Sequence, residues 1–256
     1  MLQNLEIRVL VCEKDMKMCE NMIISLQKYT EFQNCNIFFH NDGSLKDESR
    51  DILSNFKNSI ILDKEYANSR IFEHIKDYPF CQKYRLNDSP ISLWHKFKLF
   101  DFYLFSKTKN ILCIDSDVLF IHKPEILINL IDESIPFYFP DFLNSYSFSK
   151  NSKIEVLPRV NTGIFYIPSN KYYDLNFIEL ALQDLYNNGM KDINWIEQSA
   201  YAHMFYKIGD FIPLNQEKYM IPTSRIHIPE NIEALHFVGH PPIRKLYDEF
   251  KESFKF

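Results

Sequence analysis

The chain has 256 residues, 46% hydrophobic and 25% charged, which is enough for one large α/β domain with a substantial core. Its formal net charge is −5 and it has no long basic run, which argues against a general nucleic-acid binder. No stretch reaches the roughly 18 uninterrupted apolar residues of a membrane span. The opening "MLQNLEIRVLVCEKD" is broken by Glu6 and Arg8 and lacks the basic start and small-residue cleavage site of a secretory leader. The five cysteines (Cys12, Cys19, Cys35, Cys81 and Cys113) are odd in number and show no Cys-x-x-Cys spacing. They read as reduced thiols in a cytoplasmic protein.

In chain order, "IRVLVC" (7–12) predicts a buried strand, and the spacing of Met18, Met22, Ile23 and Leu26 predicts a helix after it. "CNIFFH" (35–40) predicts a second strand, closed by the turn formers Asn41, Asp42 and Gly43. A polar helical stretch (46–57) and a third strand, "SIILD" (59–63), follow. Leu93, Trp94, Phe97, Phe100, Leu104 and Phe105 predict an amphipathic helix over 91–107. It leads into "NILCID" (110–115), whose unbroken apolar character predicts a central strand. In the second half, "IPFYFPDF", "TGIFYIPS" and "EALHFVG" read as strands, and 177–188 and 196–207 as helices. Such alternation argues for a mostly parallel, Rossmann-like sheet flanked by helices. Ligands in such sheets collect beyond the carboxyl ends of the strands, where Asp115 and Asp117 fall.

"ILCIDSDVLF" is the most informative stretch. Two carboxylates one residue apart repel each other unless a cation or proton intervenes. A divalent ion with open positions for phosphate oxygens answers that repulsion. An isolated Asp-x-Asp is more often a solvated strand-end turn, but such turns seldom sit between two apolar runs. Haloacid-dehalogenase-like phosphatases also place Asp-x-Asp after a strand and use the first acid as a nucleophile, here Asp115. In them the motif opens the fold and a later acidic pair follows. This chain has three strand candidates before Asp115 and no later Asp-Asp pair.

Three further stretches follow in order: "VNTGIFYIP" (160–168), "WIEQSAYAHMF" (195–205) and "LHFVGHPPIRK" (235–245). With the Asp-x-Asp strand they resemble the motifs of retaining GT-A glycosyltransferases, family 8 most closely, which includes glycogenin and lipopolysaccharide galactosyl- and glucosyltransferases. The matched part spans about 90–245, and its four motifs take in two of only five glycines. The resemblance implies one GT-A domain. Residues 1–117 would form its nucleotide-binding half, and 118–256 the half that completes the metal site and takes the acceptor.

It also implies roles. Asp115, Asp117 and His236, with His240 as substitute, would hold Mn2+, with Mg2+ the alternative; a mixed carboxylate–imidazole set suits manganese better. Val11, Cys12, Ser116, Asp141, Thr162, Gly163 and Gly239 would meet the donor, a UDP-sugar, and Gly163 would let backbone approach it closely. Lys98, or Lys96, would contact phosphate where the family commonly has arginine. Arg244 or Lys245 would do so late in the chain, where the spacing departs from the family's Lys-Pro-Trp. Asn161, Glu197 and Gln198 would face the reacting sugar as catalytic groups. The acceptor would be a glycan, a glycolipid or a protein. A protein that binds nucleotide sugar without catalysis would keep the same fold.

The last segment, "KLYDEFKESFKF" (245–256), places Leu246, Phe250 and Phe254 on one helical stripe beside Tyr247. Docking of that stripe on the core is the expected outcome. The alternative is a weak peripheral membrane contact aided by Arg244, Lys245, Lys251 and Lys255 and opposed by Asp248, Glu249 and Glu252.

Overall fold

The computed structural model describes residues 2, 4–86, 95–108, 110–168, 172–222, 229–238 and 241–253. β1 (Leu5–Val11) lies between β2 (Asn36–Asn41) and β4 (Asn110–Ile114), parallel to both, so that Ile7 faces Ile37 on one side and Leu112 on the other. β3 (Ser59–Leu62) extends the parallel run beyond β2. Across β4, β7 (Val160–Tyr166) runs antiparallel, and β6 (Phe137–Pro140) and β8 (Ile212–Pro213) complete the sheet. The order β3-β2-β1-β4-β7-β6-β8 is mostly parallel and puts β4 in the middle, as its apolar run predicts. The same sheet crosses from one half of the chain to the other through the β4–β7 pair.

Period-two alternation gives the central strands β1, β4 and β7 two buried faces. Leu112, Ile114, Ile164 and Tyr166 point to one side, where α1 (Met16–Gln27) and α6 (Glu125–Asp132) pack with Met22, Ile23, Leu26 and Leu127. Ile111, Cys113, Phe165 and Ile167 point to the other, under α5 (His95–Leu104), α7 (Leu175–Asn188) and α8 (Ile196–Ile208). α2 (Asp47–Ser54) connects β2 to β3, matching the polar helical stretch. The segment that follows gave no clear sequence pattern, and it folds as α3 (Lys64–Ile75) and α4 (Pro79–Arg85). α3 buries Ala67, Ile71 and Ile75, spaced four apart on one stripe. α4 starts at a proline, and its free Phe80 and Cys81 N–H groups donate to the Glu179 carboxylate at 3.1 and 2.8 Å.

α5 differs from its expected amphipathic form. Leu93 and Trp94 lie outside the described residues, and every side chain from Lys96 to Tyr103 is buried. The helix is enclosed by the sheet, α3, α4 and α8. Its polar positions therefore mark ion pairs and not a wet face. Asp101 accepts two bonds of 2.8 Å from Arg85, and Lys98 lies 2.7 Å from Asp115.

A second, smaller sheet has the order β5-β10-β9, built from β5 (Val118–Phe120), β9 (Tyr219–Met220) and β10 (Ala234–His236). α9 (Pro241–Ser253) docks beside it. Leu246 and Tyr247 are buried and Phe250 partly so, against Met18, Leu119, Leu235 and Phe237. The Asn21 amide donates to the Tyr247 hydroxyl at 2.6 Å. The apolar stripe thus faces the core; Phe254 and Lys255 lie outside the described residues. Among those described, no helix is long and apolar enough to cross a membrane.

Candidate active and metal site

The site starts where β4 ends. The Asp115 N–H donates to the Gly163 carbonyl at 2.8 Å, anchoring the strand end to β7, and Val118 N–H closes a turn on the Asp115 carbonyl at 3.2 Å. The turn delivers the chain into β5, which pairs antiparallel with β10 so that His236 faces Val118. Phe237 N–H then donates to the Asp117 carbonyl at 2.9 Å. Two backbone links therefore bring a residue from late in the chain to the Asp-x-Asp turn. His236 Nε2 lies 3.1 Å from Asp117 Oδ1 and 3.7 Å from Asp115 Oδ2. One ligand atom from each of Asp115, Asp117 and His236 falls within 4.8 Å of the others.

Gly163 lies against the His236 ring, where a Cβ would come within 2.2 Å of Cε1. Its role is to make room for the imidazole, and it does not line the cleft. The β6–β7 pairing shifts register between Tyr138 and Phe139, passing over Thr162, Gly163 and Ile164. Of these, Thr162 lines the cleft and Ile164 packs in the core. Asn161 Oδ1 accepts from Gly163 N–H at 2.8 Å, and its Nδ2 donates to Asp141 at 3.3 Å. Thr162 Oγ1 donates to Glu197 at 3.1 Å. Lys98 stands between acids, 2.7 Å from Asp115 and 3.8 Å from Glu197. Gln198, one residue further along α8, donates from its amide to the Ser145 carbonyl at 3.1 Å.

Burial and charge set the protonation of this group. Burial works against a charged His236, but the Asp117 and Asp115 carboxylates outweigh it and raise its pKa. Burial likewise opposes charge on Lys98, and Asp115 and Glu197 more than restore it. Burial pushes the Glu197 carboxyl up to about 7, although Lys98 favours the ionised form.

The donor set fits a divalent first-row ion. Two carboxylates and an imidazole converge, and Asp117 Oδ1 and His236 Nδ1 are buried with no hydrogen-bond partner aligned on them. The Asp115 side chain is the open one, 29% exposed against 12% for Asp117, so the cluster meets the cleft through it.

A cleft of about 1210 Å³ covers the cluster. On the β1 side of β4 it is lined by Val11, Cys12 and Arg244, and on its floor by Lys98, Asp115, Ser116, Asp117 and His236. On the β7 side it is lined by Asp141, Asn161, Thr162, Glu197 and Gln198. Lys98, not Lys96, faces the cleft, and Arg244 does so while Lys245 is exposed elsewhere. Gly239 and His240 lie outside the described residues. Several lining residues were given no site role by the sequence: Asp15, Asp42, Phe142, Leu143 and Trp195. Asp15 takes the Arg244 guanidinium on both carboxylate oxygens, with Nη2 to Oδ2 at 3.1 Å. Burial and the Asp15 carboxylate push the Cys12 thiol up to about 12, so this lining thiol stays protonated.

No family model matches the chain, and no curated protein matches it. Solved structures do. Mouse xyloside xylosyltransferase 1, in its apo form, superposes with a TM-score of 0.61 at 13% identity, covering 92% of this chain and 97% of that one. An active-site mutant of LgtC gives 0.60 at 14% identity, with 98% and 96% covered. The apo WbbM bifunctional glycosyltransferase gives 0.61 at 12% identity, covering 93% of this chain and 46% of WbbM. Identities this low speak to architecture alone. In sheet order, flanking helices and overall course, this chain has the GT-A fold of these glycosyltransferases.

Proposed function

We propose that this chain is a metal-dependent glycosyltransferase that moves a hexose from a UDP-sugar to a glycan, glycolipid or protein acceptor, with retention of configuration. The observation that carries the reading is the convergence of Asp115, Asp117 and His236 on the floor of the cleft. A GT-A fold around that cluster supports it. An imidazole from a late strand is foreign to the phosphatase alternative, which is not favoured.

Asp115, Asp117 and His236 would hold Mn2+, or Mg2+ in its place. The bound ion would neutralise the donor diphosphate and stabilise it as a leaving group. Residues 1–117, with Val11 and Cys12 at the end of β1, would take the nucleoside, and residues 118–256 would complete the metal set and take the acceptor. Arg244, whose two terminal nitrogens are paired with Asp15, would add positive charge and its remaining N–H donors at the phosphate end. Lys98 fixes the Asp115 carboxylate and contributes positive charge beside it. Glu197, held by Thr162, would stabilise the positive charge that develops on the sugar. Asn161 and Asp141 bond to each other at the sugar end of the cleft. Gln198 is a poor nucleophile, which favours front-side attack, in which the leaving phosphate takes the acceptor's proton.

Asp117→Ala tests the reading. The variant should keep its fold and lose both transfer and Mn2+-dependent UDP binding, measured by calorimetry. Undiminished Mn2+-dependent UDP affinity would remove the site assignment. An NMR coupling constant of the product reads the stereochemistry: an α-linked donor should give an α-linked product.

A further inference from the structure

The β7 side of the cleft carries an apolar group that the chemistry above does not use. Phe142 is 45% exposed, Leu143 71% and Trp195 38%, and all three line the cleft. Single exposed apolar residues are ordinary, but three on the wall of one cleft are not. The loop that carries Phe142 and Leu143 is tied to its surroundings. Phe142 N–H donates to its neighbour Asp141 at 2.7 Å, and Gln198 holds the Ser145 carbonyl at 3.1 Å. Asn144 accepts from Arg159 N–H at 2.8 Å, and Ser199 accepts from Ser147 N–H at 2.7 Å. A loop tied down at this many points presents its side chains and does not merely fail to bury them.

The position of the trio selects the occupant. Phe142 and Leu143 follow Asp141 off β6, and Trp195 precedes Glu197 and Gln198 at the start of α8. They therefore stand on the far side of the Asp115–Asp117–His236 cluster from Val11, Cys12 and Arg244. The polar neighbours there, Asn194, Ser145 and Gln198, can bond sugar hydroxyls, and an indole face suits the C–H face of a pyranose. Leu143 and Phe142 offer nothing to a hydroxyl. We propose that this wall is the acceptor subsite, and that the acceptor is a glycoside with an apolar segment next to its sugar. Trp195 would pack on the sugar, and Phe142 and Leu143 on the apolar segment. The inference rests on the glycosyltransferase reading, and its test separates the two.

Trp94 and Trp195 are the two tryptophans of the chain, so Trp94→Phe leaves Trp195 as the sole tryptophan, read by excitation at wavelengths that tyrosine does not absorb. The probes are octyl β-glucoside and octyl β-galactoside below micellar concentration, each against its methyl counterpart. The octyl glycosides should bind at least about tenfold more tightly, given the apolar area they bring. The preference should vanish in Phe142→Ser/Leu143→Ser while Mn2+-dependent UDP affinity stays unchanged. Saturation-transfer NMR on the native chain makes the same comparison without the Trp94 substitution. Equal binding of octyl and methyl probes, or an octyl preference that survives in the double variant, overturns the assignment. UDP binding is measured in the same samples. A missing octyl preference with intact UDP binding removes the acceptor proposal alone, whereas missing UDP binding removes the reading beneath it.

Discussion

A β-carbon on Gly163 would lie 2.2 Å from Cε1 of the His236 ring, far inside any van der Waals contact. Either β7 or the imidazole must move to admit one. Gly163→Ala should therefore weaken Mn2+-dependent UDP binding by at least about tenfold and destabilise the fold by about 1–3 kcal/mol, the usual range for overpacking. Calorimetry and denaturant melts check the two effects. Unchanged metal affinity would mean that His236 is not held where the ligand set needs it.

Glu197 predicts a dependence on pH with a definite sign. Its carboxyl is raised from the ordinary 4.5 to about 7. Between those values the unfolded chain has released the proton and the folded chain keeps it, so stability falls as pH rises through the window. The deficit is complete above about 7 and absent below about 4.5. Glu197→Gln removes it, so the variant should gain on the wild type by up to about 3 kcal/mol as pH rises across that interval. Paired melting curves at several pH values measure the difference. A flat difference would contradict the burial-driven shift.

The Arg85–Asp101 pair lies wholly inside the protein, 1% and 0% exposed, with Arg85 also donating to Asn68 and stacking over Phe97. Arg85→Met strands a buried carboxylate and should cost about 3–5 kcal/mol. Arg85→Met with Asp101→Leu should recover much of that loss, because both charges then leave together. Chemical denaturation of the single and double variants decides it. A double variant worse than the single would show that the pair does more than neutralise itself.

Reading the sequence succeeded where physics is local. β1 to β4 are short apolar runs bounded by turn formers, and each appears within two residues of its expected place. Asp115 and Asp117 stand out in the sequence because two carboxylates between apolar runs at a strand end have few uses. His236 is reached only through the resemblance; the structure brings the three together. α5 misled because lysines and an aspartate at helical spacing look like a wet face, and only the packing of α3, α4 and α8 reveals them as buried pairs. The Asp15–Arg244 contact joins residues 229 positions apart, and no local pattern encodes it. Trp195 sat inside a quoted motif, yet its importance depends on Phe142 and Leu143, which approach the same cleft from another loop.

α9 offers a test of docking against membrane contact. Leu246→Ala should cost about 2–4 kcal/mol as a core truncation, and Tyr247→Phe about 1 kcal/mol for the bond to Asn21. Deleting residues 246–256 should lower the melting temperature. Flotation with anionic liposomes should find little of the intact chain at the membrane. Strong flotation lost on truncation, at unchanged stability, would reverse the assignment.

Lys98 gives the floor of the cleft a resident cation of its own. With its ammonium 2.7 Å from Asp115, and His236 Nε2 3.1 Å from Asp117 though not aligned as a hydrogen bond on it, positive charge is at hand before any ion arrives. Small domains built around a structural metal unfold when it is stripped. Here the ion would be cargo carried by an already finished fold. Treatment with a chelator should leave the melting temperature within about 3 °C of the starting value and abolish UDP binding, and added Mn2+ should restore binding without refolding. On the proposed function, the supply of metal would then act as a reversible switch on activity, one that leaves the amount of folded protein untouched.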